Sequence, residues 1–82
     1  MGKSLYTREY KALTALLYEA RKKAGLTQQQ VADRLKKPQS FVAKYEGGER
    51  RLDVIEFLSI CGALGISPAG LISRISQQNR MQ

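Results

Sequence analysis

The segment TQQQVADRLKKPQSFVAKYEGG, residues 27–48, holds two short amphipathic stretches and the break between them. Thr27 with Gln30 three positions on is the spacing at which two side chains satisfy each other's free backbone N–H groups, so it predicts a helix start at Thr27. Val31, Ala32 and Leu35 form the inner face of that helix, and the small Ala32 allows close approach of another helix. Pro38 disfavours helical geometry at Lys37, which places the end near Lys36. A third helix then runs from Gln39 to Tyr45 and is stopped by the Gly47–Gly48 pair. Val42 and Tyr45, three apart, turn inward, while Gln39, Ser40 and Lys44 fall on the other side.

Working outward, Tyr10, Leu13, Leu17, Ala20 and Ala24 recur at helical spacing and predict a first helix over residues 7–24, with Gly25 as a left-handed cap. Asp53 with Glu56 repeats the capping signature ahead of VIEFLSICGAL. The inner face of this fourth helix is read as Ile55 or Val54 with Leu58, Cys61 and Leu64, and Gly65 closes it. Ser67 and Pro68 open a fifth helix carrying Leu71, Ile72 and Ile75 on one side, either as core or as a dimer seam. No stretch shows period-two alternation. The expectation is an all-α, compact five-helix bundle over residues 7–76, with an arm at 1–6 and a frayed tail at 77–82.

The chain has 82 residues, the size of one domain. Its 14 Lys and Arg against 7 Asp and Glu give a net charge of +7 and an isoelectric point near 9.9. Between Arg21 and Arg51 lie nine basic and three acidic residues, so that segment holds six of the seven net charges. Such a field favours phosphate-bearing partners. Cys61 is the sole cysteine, in apolar surroundings, and reads as buried packing. With no histidine, no paired carboxylates and no glycine-rich phosphate loop, neither an enzyme nor a cofactor or metal site is expected. No apolar run reaches the ~18 residues of a membrane span, and a cytoplasmic location is expected.

Two short helices joined by a turn, the second flanked by cations, can lay that second helix in the DNA major groove. An amide pairs bidentately with adenine, a hydroxyl serves either base type, and an ammonium reaches guanine or a phosphate, so Gln39, Ser40 and Lys44 are the base-reading candidates. The competing reading has Gln39 and Ser40 merely capping the helix. Lys36, Lys37, Arg50 and Arg51 are candidates for phosphate contact. Phe41 has two readings: packing on thymine methyl groups, or covering the helix junction.

At these residues the chain resembles the phage-repressor and Cro-like helix-turn-helix family, also called XRE. The resemblance is carried by GLTQQQVADRL, by PQSFVAKYEGGERR and by the apolar-Gly-Ile stop at Leu64–Gly65–Ile66. It implies a lambda-repressor-like bundle in which helices two and three are the helix-turn-helix. It implies further that Gln39, Ser40 and Lys44 hold the base-reading positions, that Gln28 clamps a phosphate, and that Arg21 and Glu46 form a structural ion pair between helix one and the end of helix three. A homodimer on an inverted-repeat operator in double-stranded DNA follows from the same likeness, as does a bacterial or phage-encoded repressor. An antitoxin-like or adaptor module with a protein partner is the alternative. The chain departs from the family pattern in having Lys36 where the turn often has glycine, and Phe41 where small polar residues are common.

Overall fold

Side chains start most of the helices, and one repeated backbone arrangement ends them. The computed structural model describes residues 7–80, with side chains through Gln77. It contains α1 (Arg8–Lys23), α2 (Gln28–Leu35), α3 (Gln39–Glu46), α4 (Val54–Leu64) and α5 (Pro68–Arg80), and no strand among the described residues. Thr7 Oγ1 accepts the Tyr10 N–H at 3.2 Å, and reciprocal capping boxes join Thr27 to Gln30 and Asp53 to Glu56. Ser67 Oγ accepts the Gly70 N–H at 3.2 Å. At α3 the N-cap is Pro38, which has no side chain to donate or accept. Neither Gln39 nor Ser40 therefore caps the helix, which removes the capping reading of that pair.

Helices α1 to α4 each close with two bonds, one running six residues back to one and one inside it. The outer bonds are Leu26 N to Arg21 O, Lys37 N to Ala32 O, Glu49 N to Lys44 O and Ile66 N to Cys61 O, at 2.8–3.2 Å. Each closure needs one residue in the left-handed region. Glycine fills it three times, but Lys36 fills it after α2 with φ 58°. The turn thus adopts the geometry that glycine would take more easily, with a lysine displayed on its outside.

Helix α2 sits in the middle, packed on α3 and α4, while α1 packs on α3 and α5. Tyr45, Leu17, Ile60, Val31, Val42 and Cys61 are fully buried, as is the small Ala32. Phe41 meets Tyr45 edge-on with centroids 5.5 Å apart. The buried line of α1 is Tyr10, Thr14, Leu17 and Arg21, with Leu13 and Ala20 partly buried and Ala24 exposed. Thr14 is tolerated inside because its hydroxyl donates to Lys11 O at 3.0 Å. Among the described residues no single helix is long and apolar enough to cross a membrane.

Three expectations change. Helix α4 buries Phe57, Ile60, Cys61 and Leu64 and leaves Val54, Ile55 and Leu58 exposed. It is apolar nearly all round, so periodicity supports more than one face, and packing on α2 selects the one bearing Phe57. On α5, Leu71 is buried in the core while Ile72 points outward, so the three aliphatics read as one side are split between two surroundings. Helix α5 continues to Arg80, four residues past the expected boundary. The arm at 1–6 and residues 81–82 lie outside the described residues.

Left-handed backbone costs an L side chain roughly 1–2 kcal/mol, partly offset by the extra freedom glycine has when unfolded. Lys36→Gly is therefore expected to raise stability by about 0.5–1 kcal/mol, read as a higher urea midpoint at unchanged m-value.

Candidate nucleic-acid interface

Helix α3 has only eight residues and cannot hold its own position, so its neighbours must. Phe41, Val42 and Tyr45 bury one face. Gln39, Ser40 and Lys44 are all exposed, with Ser40 and Lys44 four residues apart on one line of the helix. The structure thus brings the three base-reading candidates together on one open surface.

The far end of α3 is tied back through charge. Arg21 Nε donates to Glu46 Oε2 at 2.7 Å, Nη2 donates to Glu46 Oε1 at 3.0 Å, and Nη1 donates to Leu26 O at 2.9 Å. Both side chains are buried, at 10% and 6% exposure. The hydrogen bonds to Glu46 raise the Arg21 pKa against the opposing effect of burial. Glu46 Oε1 also accepts from Gln28 Nε2 at 2.9 Å, and Gln28 Oε1 accepts from Gln39 Nε2 at 2.6 Å. A continuous chain of bonds therefore runs from the interior at Arg21 to the exposed amide of Gln39. Gln28, read from sequence only as a phosphate clamp, is engaged at both ends of its amide.

Beside it the start of α2 opens into a cleft of about 630 Å³ lined by Lys22, Thr27, Gln28, Gln29 and Gln39. The capping box satisfies the N–H groups of Thr27 and Gln30, which leaves those of Gln28 and Gln29 at the helix start directed outward. This is a ready anion site by geometry and dipole.

The loop between α3 and α4 is braced from both sides. Arg50 forks onto Glu56 at 2.9 and 2.8 Å, and Tyr10 donates its hydroxyl hydrogen to Arg50 O. Arg51 stacks over the Tyr10 ring at 4.6 Å. The Phe41 ring lies under Arg50 at 4.8 Å and Lys37 at 5.4 Å, and is 9% exposed. Phe41 thus covers the helix junction, and the thymine-methyl reading gives way because the rotation that buries Val42 and Tyr45 takes Phe41 inward with them. Lys36, Lys37 and Arg51 are exposed. Arg50 carries its charge opposite a carboxylate, a partnership that a six-residue spacing outside any one helix does not signal in sequence.

A family model for a helix-turn-helix matches residues 17–71. The chain belongs to the XRE-type helix-turn-helix family. An XRE-family-like protein from Pseudomonas syringae pv. tomato is 48% identical over 94% of both chains, with a TM-score of 0.86. The restriction-modification controller protein C.AhdI from Aeromonas hydrophila is 28% identical over 79% of this chain and 98% of its own, at 0.73. The controller protein C.Esp1396I, solved as a tetramer in complex with its natural 35 base-pair operator, shares the fold at 15% identity and 0.77, over 87% of this chain and 93% of its own. Curated proteins return no match. Membership makes this XRE protein a DNA-binding protein of the transcription-regulator class.

Two expectations follow from the geometry. Removing one partner of the buried pair strands the other, so Glu46→Ala is expected to cost about 3–5 kcal/mol, while the double replacement Arg21→Met with Glu46→Leu recovers most of it; denaturant melts of the three proteins check this. Arg50 holds the Glu56 carboxyl below its ordinary value, followed by the Asp53 N–H. A depressed carboxyl contributes stability above the unfolded pKa of about 4.3 that is lost as pH falls through the folded value. Glu56→Gln should flatten that acid limb of a stability-versus-pH curve.

Proposed function

We propose that this protein is a repressor that reads duplex DNA by laying α3 in the major groove, with Gln39, Ser40 and Lys44 on base edges. One observation carries the reading: these three exposed side chains share a face of a helix anchored from behind by the buried Val42 and Tyr45. The bond from Gln39 Nε2 to Gln28 supports it, since an amide held in one orientation has less freedom to lose on meeting a base. Its Oε1 and second N–H remain for the donor and acceptor pair that adenine presents.

Phosphates would meet the start of α2 at Gln28 and Gln29 on one side and Lys36, Lys37 and Arg51 on the other, a bracket that sets register without reading sequence. Arg50 adds less to this field than its neighbours, because Glu56 opposes its charge. Binding as a homodimer to inverted half-sites completes the proposal, since a single module buries too little surface for tight specific binding. The operator-bound tetramer of C.Esp1396I, on the same fold, supports an assembly of this kind. Such a repressor acts by occupying its operator in the cytoplasm of a bacterium.

Gln39→Ala is expected to lose roughly 1–3 kcal/mol on the preferred duplex and almost nothing on unrelated duplexes, whereas Lys37→Ala weakens all duplexes alike and lowers the salt slope by about one. Fluorescence anisotropy across a salt series measures both. An equal loss on every duplex for Gln39→Ala would remove that residue from base reading.

A further inference from the structure

Glu56 does two jobs with one carboxylate. Within the start of α4 it completes the capping box, its Oε1 accepting the Asp53 N–H at 3.0 Å. Outside the helix it accepts from both Nη groups of Arg50, at 2.9 and 2.8 Å. Capping does not need the charge, since the neutral Gln30 performs the same task for Thr27 at the start of α2. The negative charge of Glu56 therefore has a separate role.

The geometry around Arg50 indicates what that role is. A planar guanidinium carries five N–H groups. Nη1 gives one to Glu56 and one to Arg51 O at 2.8 Å, and Nη2 gives one to Glu56. The Nε–H and the second Nη2 hydrogen lie parallel along the remaining edge and have no partner among the described residues. Such an edge fits two oxygens of a phosphate. The guanidinium sits 4.8 Å from the Phe41 ring, on the helix that carries Gln39 and Ser40, and the Arg50 side chain is 39% exposed against 20% for Glu56. Lys37 lies 5.4 Å from the same ring. The Glu56 carboxyl is held below its ordinary range chiefly by Arg50, with Lys37 contributing, so one carboxylate answers two cations.

We propose that Glu56 sets the specificity of DNA binding: it opposes the attraction of Arg50 and Lys37 for any phosphate, and it fixes the open edge of Arg50 for the one phosphate that a seated α3 brings to it. The proposal rests on the DNA-reading assignment above and adds how that surface discriminates. The two effects act on different complexes. An unrelated duplex is held through charge, and the carboxylate subtracts from that attraction wherever the protein lands. The same subtraction applies on a preferred duplex, but there a guanidinium already oriented by Glu56, Arg51 O and the Phe41 ring has less freedom to lose on gripping a phosphate. Glu56 thus lowers unrelated binding more than preferred binding.

Anisotropy on a duplex selected from a random pool and on an unrelated duplex, across a salt series, tests this with the native chain, Glu56→Gln and Arg50→Lys. Circular dichroism confirms helix content, and glutamine at 56 keeps the capping box. Glu56→Gln should bind the unrelated duplex roughly threefold to tenfold tighter at about 0.1 M salt, with a salt slope steeper by about one. It should gain less on the selected duplex, so that the ratio of the two affinities falls roughly threefold. Arg50→Lys keeps the charge and removes the edge, and should weaken the selected duplex roughly threefold or more beyond any change on the unrelated one. An unrelated duplex bound no tighter by Glu56→Gln, or either variant shifting both duplexes equally, would overturn the proposal. A native chain that prefers no duplex defeats the DNA-reading assignment itself, whereas a selective native chain whose affinity ratio is unmoved by Glu56→Gln defeats the role of Glu56 alone.

Discussion

The buried fork between Arg21 and Glu46 governs how α3 and its exposed face are held. Two opposite charges at 10% and 6% exposure are tolerable only when their hydrogen-bonding capacity is filled. Here Leu26 O takes one guanidinium N–H and Gln28 supplies a third donor to the carboxylate. The pair joins the last turn of α1, the start of α2 and the last residue of α3. Gln28 then reaches Gln39 in the first turn of α3, so both ends of that helix are referenced to the same point on α2. Helix orientation and side-chain orientation are set by one bonded series.

What this series does from the inside, the α3–α4 loop does from the flank. Helix α3 is short and lacks a side-chain cap at its start, so little of its stability is its own. Phe41 and Tyr45 weld it to the core, while Arg50, stacked on Phe41 and forked onto Glu56, fixes the chain where it leaves the helix. Tyr10 extends the brace to α1. No buried polar side-chain atom among the described residues lacks a partner. The polar groups that remain outward at Gln39, Ser40 and Lys44 are consequently displayed on a frame whose internal requirements are met.

Local signals made most of this legible in the sequence. Thr27 with Gln30, Asp53 with Glu56, Pro38, and the glycines at 25, 48 and 65 each act over a few residues, and they located five helices and the two-helix unit. The split of α3 into two faces followed from three- and four-residue offsets. Arg21 with Glu46 was legible only through the family resemblance, since 25 residues separate them. Four features escaped because they depend on the assembled fold. The buried face of α4 is ambiguous where nearly every side chain is apolar, and the environment of Leu71 is settled by α1 and the end of α4. Arg50 meets Glu56 only once the loop has turned back. Phe41 was open between two readings until the rotation of α3 was known.

Under the proposed function, a two-fold pair of α3 helices would read base edges. Selection of bound duplexes from a random pool tests it most directly. It predicts enrichment of an inverted repeat whose half-sites lie about one helical turn of DNA apart, roughly 34 Å or a multiple of it. A pool that shows no enriched sequence, or a single half-site with no symmetric mate, would contradict it.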